Sequence, residues 1–372
     1  AQEFDREETF DLGLWEKACE LGFVGVFIDE AYEGAGYGFF EHCLITEEFW
    51  AVDPGIGQAI LSTTFGSELL GLFGSDAQKQ LVLPRLVAGE AIMGTAITEP
   101  DAGSDAINIR VKAEDKGDHW LINGEKQWTT NGDFARVIIL FATVNPEKGL
   151  QGITPFIIDT EWEGFSPGAI ERTMGIHASH QVVTRYDNMK VPKDTVLGGD
   201  RNIGRGFQVA MAILDGARIG VAASAVGIMT RAIEESVKYT QERVQFGRPV
   251  AKFQAMQFKI ADMAMKVNAS RWLAYHAAWL KDQGVKVTRE AAMAKCFASD
   301  MAMEVTSEAI QCHGGYGYSM EYPLEKLMRD SKIHQIYEGT NEIMRTVISR
   351  EIYKRGLWMP FEDIEQAVSA AQ

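Results

Sequence analysis

One carboxylate near the end of the chain has the surroundings of a reactive group. Glu338 stands in the sequence Tyr-Glu-Gly-Thr, directly after a run that reads as a polar-faced helix from Tyr322 to Ile336. Gly339 marks a helix break, because glycine adopts backbone conformations that other residues avoid. A carboxylate desolvated among apolar residues has a raised pKa, which makes it a better base near neutral pH. On these residues alone, a carboxylate that caps a helix terminus is the preferred interpretation of Glu338, and a general base is the alternative.

Other segments carry residue types suited to a flat, polyanionic ligand. Gly314 and Gly315 allow close approach of the backbone to such a ligand. Arg243 can make a bidentate contact to a phosphate, or it can be a solvated helix end. Trp128 can cover an aromatic ring, with core packing as the alternative. No metal-ligand motif and no dinucleotide-binding G-x-G-x-x-G pattern is apparent.

The segments Ala96–Asp105, Gln127–Asn131, Glu242–Gln254 and Gln311–Ile343 resemble, in order, motifs of the acyl-CoA dehydrogenases. These flavoenzymes desaturate acyl-CoA thioesters, and the resemblance covers almost the whole chain. The reaction needs a base for the α-proton, donors for the enolate oxygen and an acceptor for the β-hydride. Because side chains cannot accept hydride, an organic cofactor is required. The resemblance implies that this cofactor is FAD, that Glu338 is the base, and that its N–H and a flavin ribityl hydroxyl hold the enolate oxygen.

The resemblance also implies a FAD site built from distant parts of the chain. Thr98 would face the pyrimidine edge, Ser104 the pyrophosphate, Trp128 one edge of the isoalloxazine and Thr130 its N5 atom. A second group, from Arg243 to Gln254 and from Gln311 to Gly315, would contact the FAD of a neighbouring subunit. The predicted cofactor-binding residues are Thr95, Ile97, Thr98, Gly103, Ser104, Trp128, Thr130, Arg243, Phe246, Phe253, Gln254, Gln311, Gly314, Gly315, Thr340 and Glu342.

Asp215 and Arg218 match the contacts that the family makes to the pantetheine and CoA portions of the substrate. Their spacing also fits a simple intrahelical ion pair. Ala217 occupies the second position at which relatives place a catalytic glutamate, so that arrangement is not available here. The predicted substrate-binding residues are Ser104, Asp215, Arg218, Leu61, Phe65, Tyr337 and Gly339.

The nature of the acyl group is predicted from a short segment of the first part of the chain. Leu61 and Phe65 lie four apart on a predicted helix, so both would face one side and form the floor of the acyl pocket. Both residues could instead belong to the core, away from the ligand. Gly57 stands where glutaryl-CoA-specific relatives carry an arginine, which argues against a dicarboxylate. A short, branched or cyclic apolar acyl group fits best.

Three functions remain open at this point. The first is a dehydrogenase that passes electrons to an electron-transferring flavoprotein. The second is an acyl-CoA or nitroalkane-type oxidase on the same fold, although nitroalkane-oxidising relatives carry Asp where Glu338 stands. The third is a non-catalytic scaffold that binds flavin or CoA, against which Glu338 and the complete set of flavin-site matches argue.

Bulk composition excludes some classes of partner. The 372 residues carry a net charge of −16, which disfavours general affinity for nucleic acid or anionic membranes. The most apolar segment, Phe207 to Met229, contains Asp215 and Arg218, so a buried bundle helix is expected rather than membrane insertion. A cytoplasmic location in a bacterium is favoured, and the mitochondrial matrix remains open.

The pattern of the chain predicts an α+β protein with three domains. Residues 1–93 read as a helical domain, which by family comparison lacks its first helix; Ser75 is the expected N-cap of a helix that ends near Val87. Residues 94–203 have short Val- and Ile-rich runs separated by turn residues, Asn123-Gly124 among them, as in a β-barrel or sandwich that contacts the flavin. Residues 204–372 return to long helical periods, Gln254–Asp282 among them, as in a four-helix bundle that carries Glu338 and the subunit interface. The resemblance implies a homotetramer.

Overall fold

The computed structural model describes residues 2–357, and the first part of the chain is helical. The helices are α1 Gln2–Glu7, α2 Leu12–Glu20, α3 Phe39–Val52, α4 Pro54–Leu61, α5 Ser67–Phe73 and α6 Asp76–Val87. The predicted cap of α6 is confirmed: the Gln78 N–H donates to the Ser75 hydroxyl, and the Ser75 N–H donates to the Gln78 side chain. Between α2 and α3 the chain is irregular apart from one short 3₁₀ turn, Glu30–Tyr32.

The middle of the chain forms a mixed sheet. Its strands are β1 Met93–Ala96, β2 Lys112–Asp115, β3 His119–Thr130, β4 Val137–Thr143, β5 Ile153–Asp159, β6 Phe165–Ile170 and β7 Gln181–Pro192. The order is β1-β4-β2-β3-β7-β6, with β5 paired to β4; β4 is parallel to β1 and β2, and the other pairs are antiparallel. All seven residues of β4 are buried, which places this strand in the core of the sheet.

One turn prediction in this sheet is wrong. Asn123-Gly124 was expected to end a strand, but β3 continues through it and the pairing with β7 shifts register there. Gly124 has a φ of 137°, and an added Cβ would lie 2.9 Å from Val111 Cγ2. The Asn-Gly pair therefore stays within a long strand, opposite a bulge of β7 at Asp187 and Asn188, because pairing with β7 outweighs the local turn preference.

The last part of the chain is a helical bundle. It contains α7 Gly206–Glu242, α8 Gln254–Asp282, α9 Thr288–His313, α10 Leu324–Ser331 and α11 Asn341–Arg355, with a small hairpin of β8 Val244–Gln245 and β9 Arg248–Pro249 between α7 and α8. The predicted helix from Tyr322 to Ile336 is shorter than expected: α10 ends at Ser331 and a 3₁₀ turn, Lys332–Gln335, follows. Residues 358–372 of the predicted third domain lie outside the described part.

Helix α7 packs against helices of both the first and the last part of the chain. Of the described helices it alone is long and apolar enough to span a membrane, yet 67% of its most apolar window is buried inside the protein, as predicted for a bundle helix. It packs against α3 of the first part so closely that a Cβ at Gly227 would lie 2.3 Å from the Glu47 carbonyl oxygen. This α3–α7 contact forms one side of the site described next.

Candidate active site

The segment that carries Glu338 is a sharp, strained turn between two helical elements. Glu338 has a φ of 54° and Gly339 a φ of 95°, so both residues are in the left-handed region. That conformation is costly for a residue with a Cβ and usually marks a functional constraint. Thr340 then caps α11, because its hydroxyl accepts from the Ile343 N–H at 3.4 Å.

Two buried cations hold the backbone of this turn. The Arg218 Nε donates to the Glu338 carbonyl oxygen at 3.3 Å. The Lys295 Nζ donates to the Gly339 carbonyl oxygen at 2.8 Å and to Asn341 Oδ1 at 2.9 Å. Both side chains are at least nine-tenths buried, and charged donors in such places make strong hydrogen bonds. The strained turn is thus fixed by α7 on one side and α9 on the other.

The electrostatic balance around Glu338 suits a base. Burial raises the pKa of the Glu338 carboxyl above its ordinary value, while the positive charges of Arg218 and Lys295 oppose this shift. Burial also lowers the pKa of Lys295 to about 8, in spite of the nearby Glu338 carboxylate. A half-buried carboxylate with a raised pKa has increased proton affinity, and the two cations favour its ionised form.

Glu338 faces a cavity of about 160 Å³ between α3, α4, α7 and the end of β3. The structure brings together five predicted site residues at this cavity, namely Leu61, Phe65, Thr130, Tyr337 and Glu338. The prediction that Leu61 and Phe65 lie on one helix is wrong, because α4 ends at Leu61 and Phe65 lies in the following turn. Both residues nevertheless line the same cavity.

Asp215 and Arg218 form the intrahelical pair that their spacing allowed, with 3.6 Å between Arg218 Nη1 and Asp215 Oδ1. Asp215 Oδ2 also accepts from the Thr288 hydroxyl at 2.7 Å. Arg218 is therefore held by contacts within the protein, next to the backbone of Glu338. A contact of either residue with CoA stays a prediction.

The predicted cofactor residues of the sheet lie on two adjacent segments. The turn after β1 is fastened to β3 by the Gln127 N–H, which donates to the Thr98 carbonyl at 2.8 Å. The buried Lys126 Nζ donates to the Ile97 carbonyl at 2.6 Å and to Glu99 Oε1 at 2.8 Å. These bonds bring Thr98 beside Trp128, which has a φ of 61° and a side chain that is 50% exposed.

Three family models match the chain in consecutive order: the acyl-CoA dehydrogenase N-terminal domain over residues 1–90, the middle domain over 94–189 and the C-terminal domain over 204–353. The chain belongs to the acyl-CoA dehydrogenase family. It is 42% identical to an acyl-CoA dehydrogenase of Bacillus subtilis, an alignment that covers 94% of this chain and 92% of that protein.

Solved structures agree with this assignment. Butyryl-CoA dehydrogenase from Megasphaera elsdenii matches with a TM-score of 0.92 and 41% identity, over 95% of this chain and 93% of that one. A chain from a study of the electron transferring flavoprotein of Acidaminococcus fermentans matches with a TM-score of 0.91 and 44% identity, over 94% and 92% of the two chains.

Acyl-CoA dehydrogenases are FAD-dependent oxidoreductases, and the described residues fit that cofactor. The exposed Trp128 offers an aromatic surface beside the Thr98 turn, and Thr130 lines the same cavity as Glu338. Gly103 and Ser104 are exposed on the same turn, with open space where a Gly103 Cβ would be. Thr95 differs from these residues: it is buried, and its hydroxyl donates to the Phe65 carbonyl at 3.0 Å.

The residues predicted to contact a neighbouring subunit's FAD cluster on the surface. Phe246 is 93% exposed at the tip of the β8–β9 hairpin, and its ring meets Phe253 edge-on at 6.0 Å. The Arg243 guanidinium lies 5.6 Å from the Tyr316 ring, which joins the hairpin to the end of α9. Gln254, Gln311, Gly314 and Gly315 are also exposed there. Two further predicted cofactor residues lie at the start of α11: Thr340 caps this helix, and Glu342 is exposed on its first turn.

The sequence interpretation missed Lys295 entirely. Its neighbours on α9 are small and buried, among them Ala291, Ala294 and Ala298. A lysine among small apolar residues indicates a buried, paired charge, because a charge in the middle of an apolar helix face requires a specific partner. Its partner, the Gly339 carbonyl, lies 44 residues away in sequence and could not be inferred.

Proposed function

We propose that this enzyme desaturates an acyl-CoA thioester between Cα and Cβ, with Glu338 as the base that removes the α-proton. The observation that carries the proposal is the position of Glu338, which stands on a strained turn, has a raised pKa and faces a cavity. FAD supplies the hydride acceptor when it is bound. The Glu338 N–H is proposed to donate to the enolate oxygen, and Arg218 and Lys295 keep the turn in place.

The cavity dimensions support a compact acyl group. An engineered cavity of about 150 Å³ holds a benzene molecule, so a cavity of about 160 Å³ accommodates a short, branched or cyclic acyl chain. Leu61 and Phe65 at its wall are proposed to set the upper limit of chain length. The butyryl-CoA dehydrogenase of Megasphaera elsdenii acts on a thioester of that size, which is consistent with this substrate class.

The electron acceptor is proposed to be an electron-transferring flavoprotein, so the enzyme is a dehydrogenase rather than an oxidase. Support comes from the matching chain in the study of the Acidaminococcus fermentans flavoprotein. A cytoplasmic location in a bacterium is consistent with the bacterial relatives.

A homotetramer is proposed from the surface of α8. Phe258, Met265, Trp272 and Trp279 lie seven residues apart on this helix and are 42% to 71% exposed. Such a spacing puts the four side chains on a single stripe, and a contiguous apolar stripe of this kind marks a protein interface. The exposed hairpin at Phe246 and the end of α9 supply a second surface, at which FAD would be shared between subunits.

Anaerobic titration with a panel of acyl-CoA thioesters tests the proposal. The purified protein should be yellow and release one FAD per chain, and a compact acyl-CoA should bleach its absorbance. Slow reoxidation in air, with fast reoxidation by an electron-transferring flavoprotein, is expected of the dehydrogenase. Rapid reoxidation in air would indicate an oxidase, and an absence of bleaching with every thioester would indicate a non-catalytic scaffold.

A further inference from the structure

The cavity beside Glu338 carries polar side chains, and one of them, buried, has no hydrogen-bond partner within residues 2–357. His42 and Thr46 lie one turn apart on α3, and Gln58 lies on α4; all three line the cavity. The Thr46 residue is 4% exposed, and its hydroxyl oxygen makes no hydrogen bond in that part of the chain. Burial of an unsatisfied hydroxyl costs free energy, so this position calls for a partner.

Small residues on α7 keep space open in front of these groups. Gly220 faces His42, and a Cβ added there would lie 3.6 Å from His42 Nε2. Gly216 and Ala217 line the cavity one turn earlier. The next turn of α3 closes the space with Trp50, whose ring packs edge-on against the fully buried His334 with 4.9 Å between centroids. We call the part of the cavity lined by His42, Thr46 and Gln58 the polar lobe.

The charges around this lobe select against an anionic ligand. The charged side chains lining the described cavity are the carboxylates Glu68 and Glu338, and Glu68 is already paired with Lys281 at 3.0 Å. Burial lowers the pKa of His42 to about 4, so its ring is neutral at physiological pH. A neutral imidazole, a hydroxyl and an amide can each donate or accept a hydrogen bond.

We propose that His42, Thr46 and Gln58 form a subsite for an uncharged hydroxyl substituent on the acyl group, so that the preferred substrates are compact acyl-CoA thioesters with a hydroxyl away from the thioester. A hydroxyl both donates and accepts, which matches the three side chains, whereas a carboxylate would meet two other carboxylates. This inference rests on the proposed desaturase function and narrows its substrate class from apolar acyl groups to hydroxylated ones.

Matched pairs of thioesters test the subsite in the FAD-loaded enzyme. Butyryl-CoA is compared with 4-hydroxybutyryl-CoA, and cyclohexanecarbonyl-CoA with its 4-hydroxy derivative. The reduction rate divided by the dissociation constant, both read from the flavin absorbance, should favour the hydroxylated member of at least one pair by about 10-fold. That ratio reflects the cost of leaving a buried polar group unpaired.

Two variants test whether Thr46 and the space beside His42 cause the preference for the hydroxylated thioester. Thr46→Val removes the hydroxyl at constant shape, and Gly220→Ala places a methyl group in ordinary van der Waals contact with His42 Nε2. Each should lower the preference for the hydroxylated thioester by about 3- to 10-fold, as expected for one hydrogen bond. Thr306→Val is the matched control, because Thr306 is fully buried on α9 and its hydroxyl already donates to the Ala302 carbonyl at 2.7 Å.

The outcomes separate the two proposals. Reduction by all four thioesters without preference for a hydroxyl, or a preference that both variants leave unchanged, overturns the subsite and assigns the polar lobe to water, while the desaturase function stands. Reduction by none of the acyl-CoA thioesters overturns the desaturase function itself, and the subsite with it. A preference that falls in both variants and persists in Thr306→Val supports the subsite.

Discussion

Replacing Glu338 with Gln separates the chemistry of this residue from its structural role. The substitution keeps the shape of the side chain and removes its ability to accept the α-proton. The strained turn does not depend on the carboxylate, since Arg218 and Lys295 both bind main-chain carbonyl oxygens. We therefore expect Glu338→Gln to fold, to keep FAD and to change the free energy of unfolding by less than about 1 kcal/mol.

The expected loss is in the rate of flavin reduction. General-base catalysis contributes about 10²- to 10⁴-fold, and we expect a loss of at least ~10³-fold, equivalent to about 4 kcal/mol of activation free energy. Glu338→Asp gives an intermediate case, because it withdraws the carboxylate by about 1.5 Å and such misplacement costs about 10²-fold. Stopped-flow reduction under anaerobic conditions measures all three proteins.

The pH dependence adds a second check. The pKa of Glu338 lies above the ordinary value of 4.5. The reduction rate divided by the dissociation constant of the thioester, which reports on the free enzyme, should therefore rise with pH through that raised pKa as the carboxylate forms. This acid limb should be absent from Glu338→Gln. Glu351→Gln is the control, since Glu351 is a buried glutamate on α11 outside the cavity. Flavin reduction by Glu338→Gln within tenfold of the wild-type rate would refute the assignment of Glu338 as the base. Asp215 would then be the first residue to test for that role.

Three more predictions concern the pocket and the assembly. Leu61→Ala or Phe65→Ala should shift preference toward longer acyl chains, by about 0.8 kcal/mol for each accommodated CH₂; an unchanged chain-length profile with a stability loss of about 2–5 kcal/mol would place both residues in the core. Arg243→Ala should weaken FAD binding and the oligomer together, measured by cofactor retention and sedimentation, and a monomer with full FAD occupancy would contradict this. Trp272→Asp on the exposed stripe of α8 should reduce the oligomer to smaller species; an unchanged sedimentation coefficient would exclude that stripe from the interface.

The sequence by itself determined the helical elements and the order of the parts. The long helices of the bundle have the bounds that hydrophobic periodicity predicts, α8 from Gln254 to Asp282 among them, and Ser75 caps α6 as its residue type indicates. These features depend on neighbours three or four residues apart, so they can be read along the chain. The motif around Glu338 likewise predicted a base at a position that lines the cavity.

Tertiary structure decided the features that depend on distant parts of the chain. Asn123-Gly124 stays within strand β3 because β7, far along the chain, pairs across it. Leu61 and Phe65 meet in one cavity through the turn after α4 rather than through a shared helix face. Lys295 reaches the turn of Glu338 because α9 packs beside it. The packing of α3 likewise leaves the Thr46 hydroxyl without a partner within residues 2–357. Burial and long-range contact set these properties, and neither is encoded in local residue spacing.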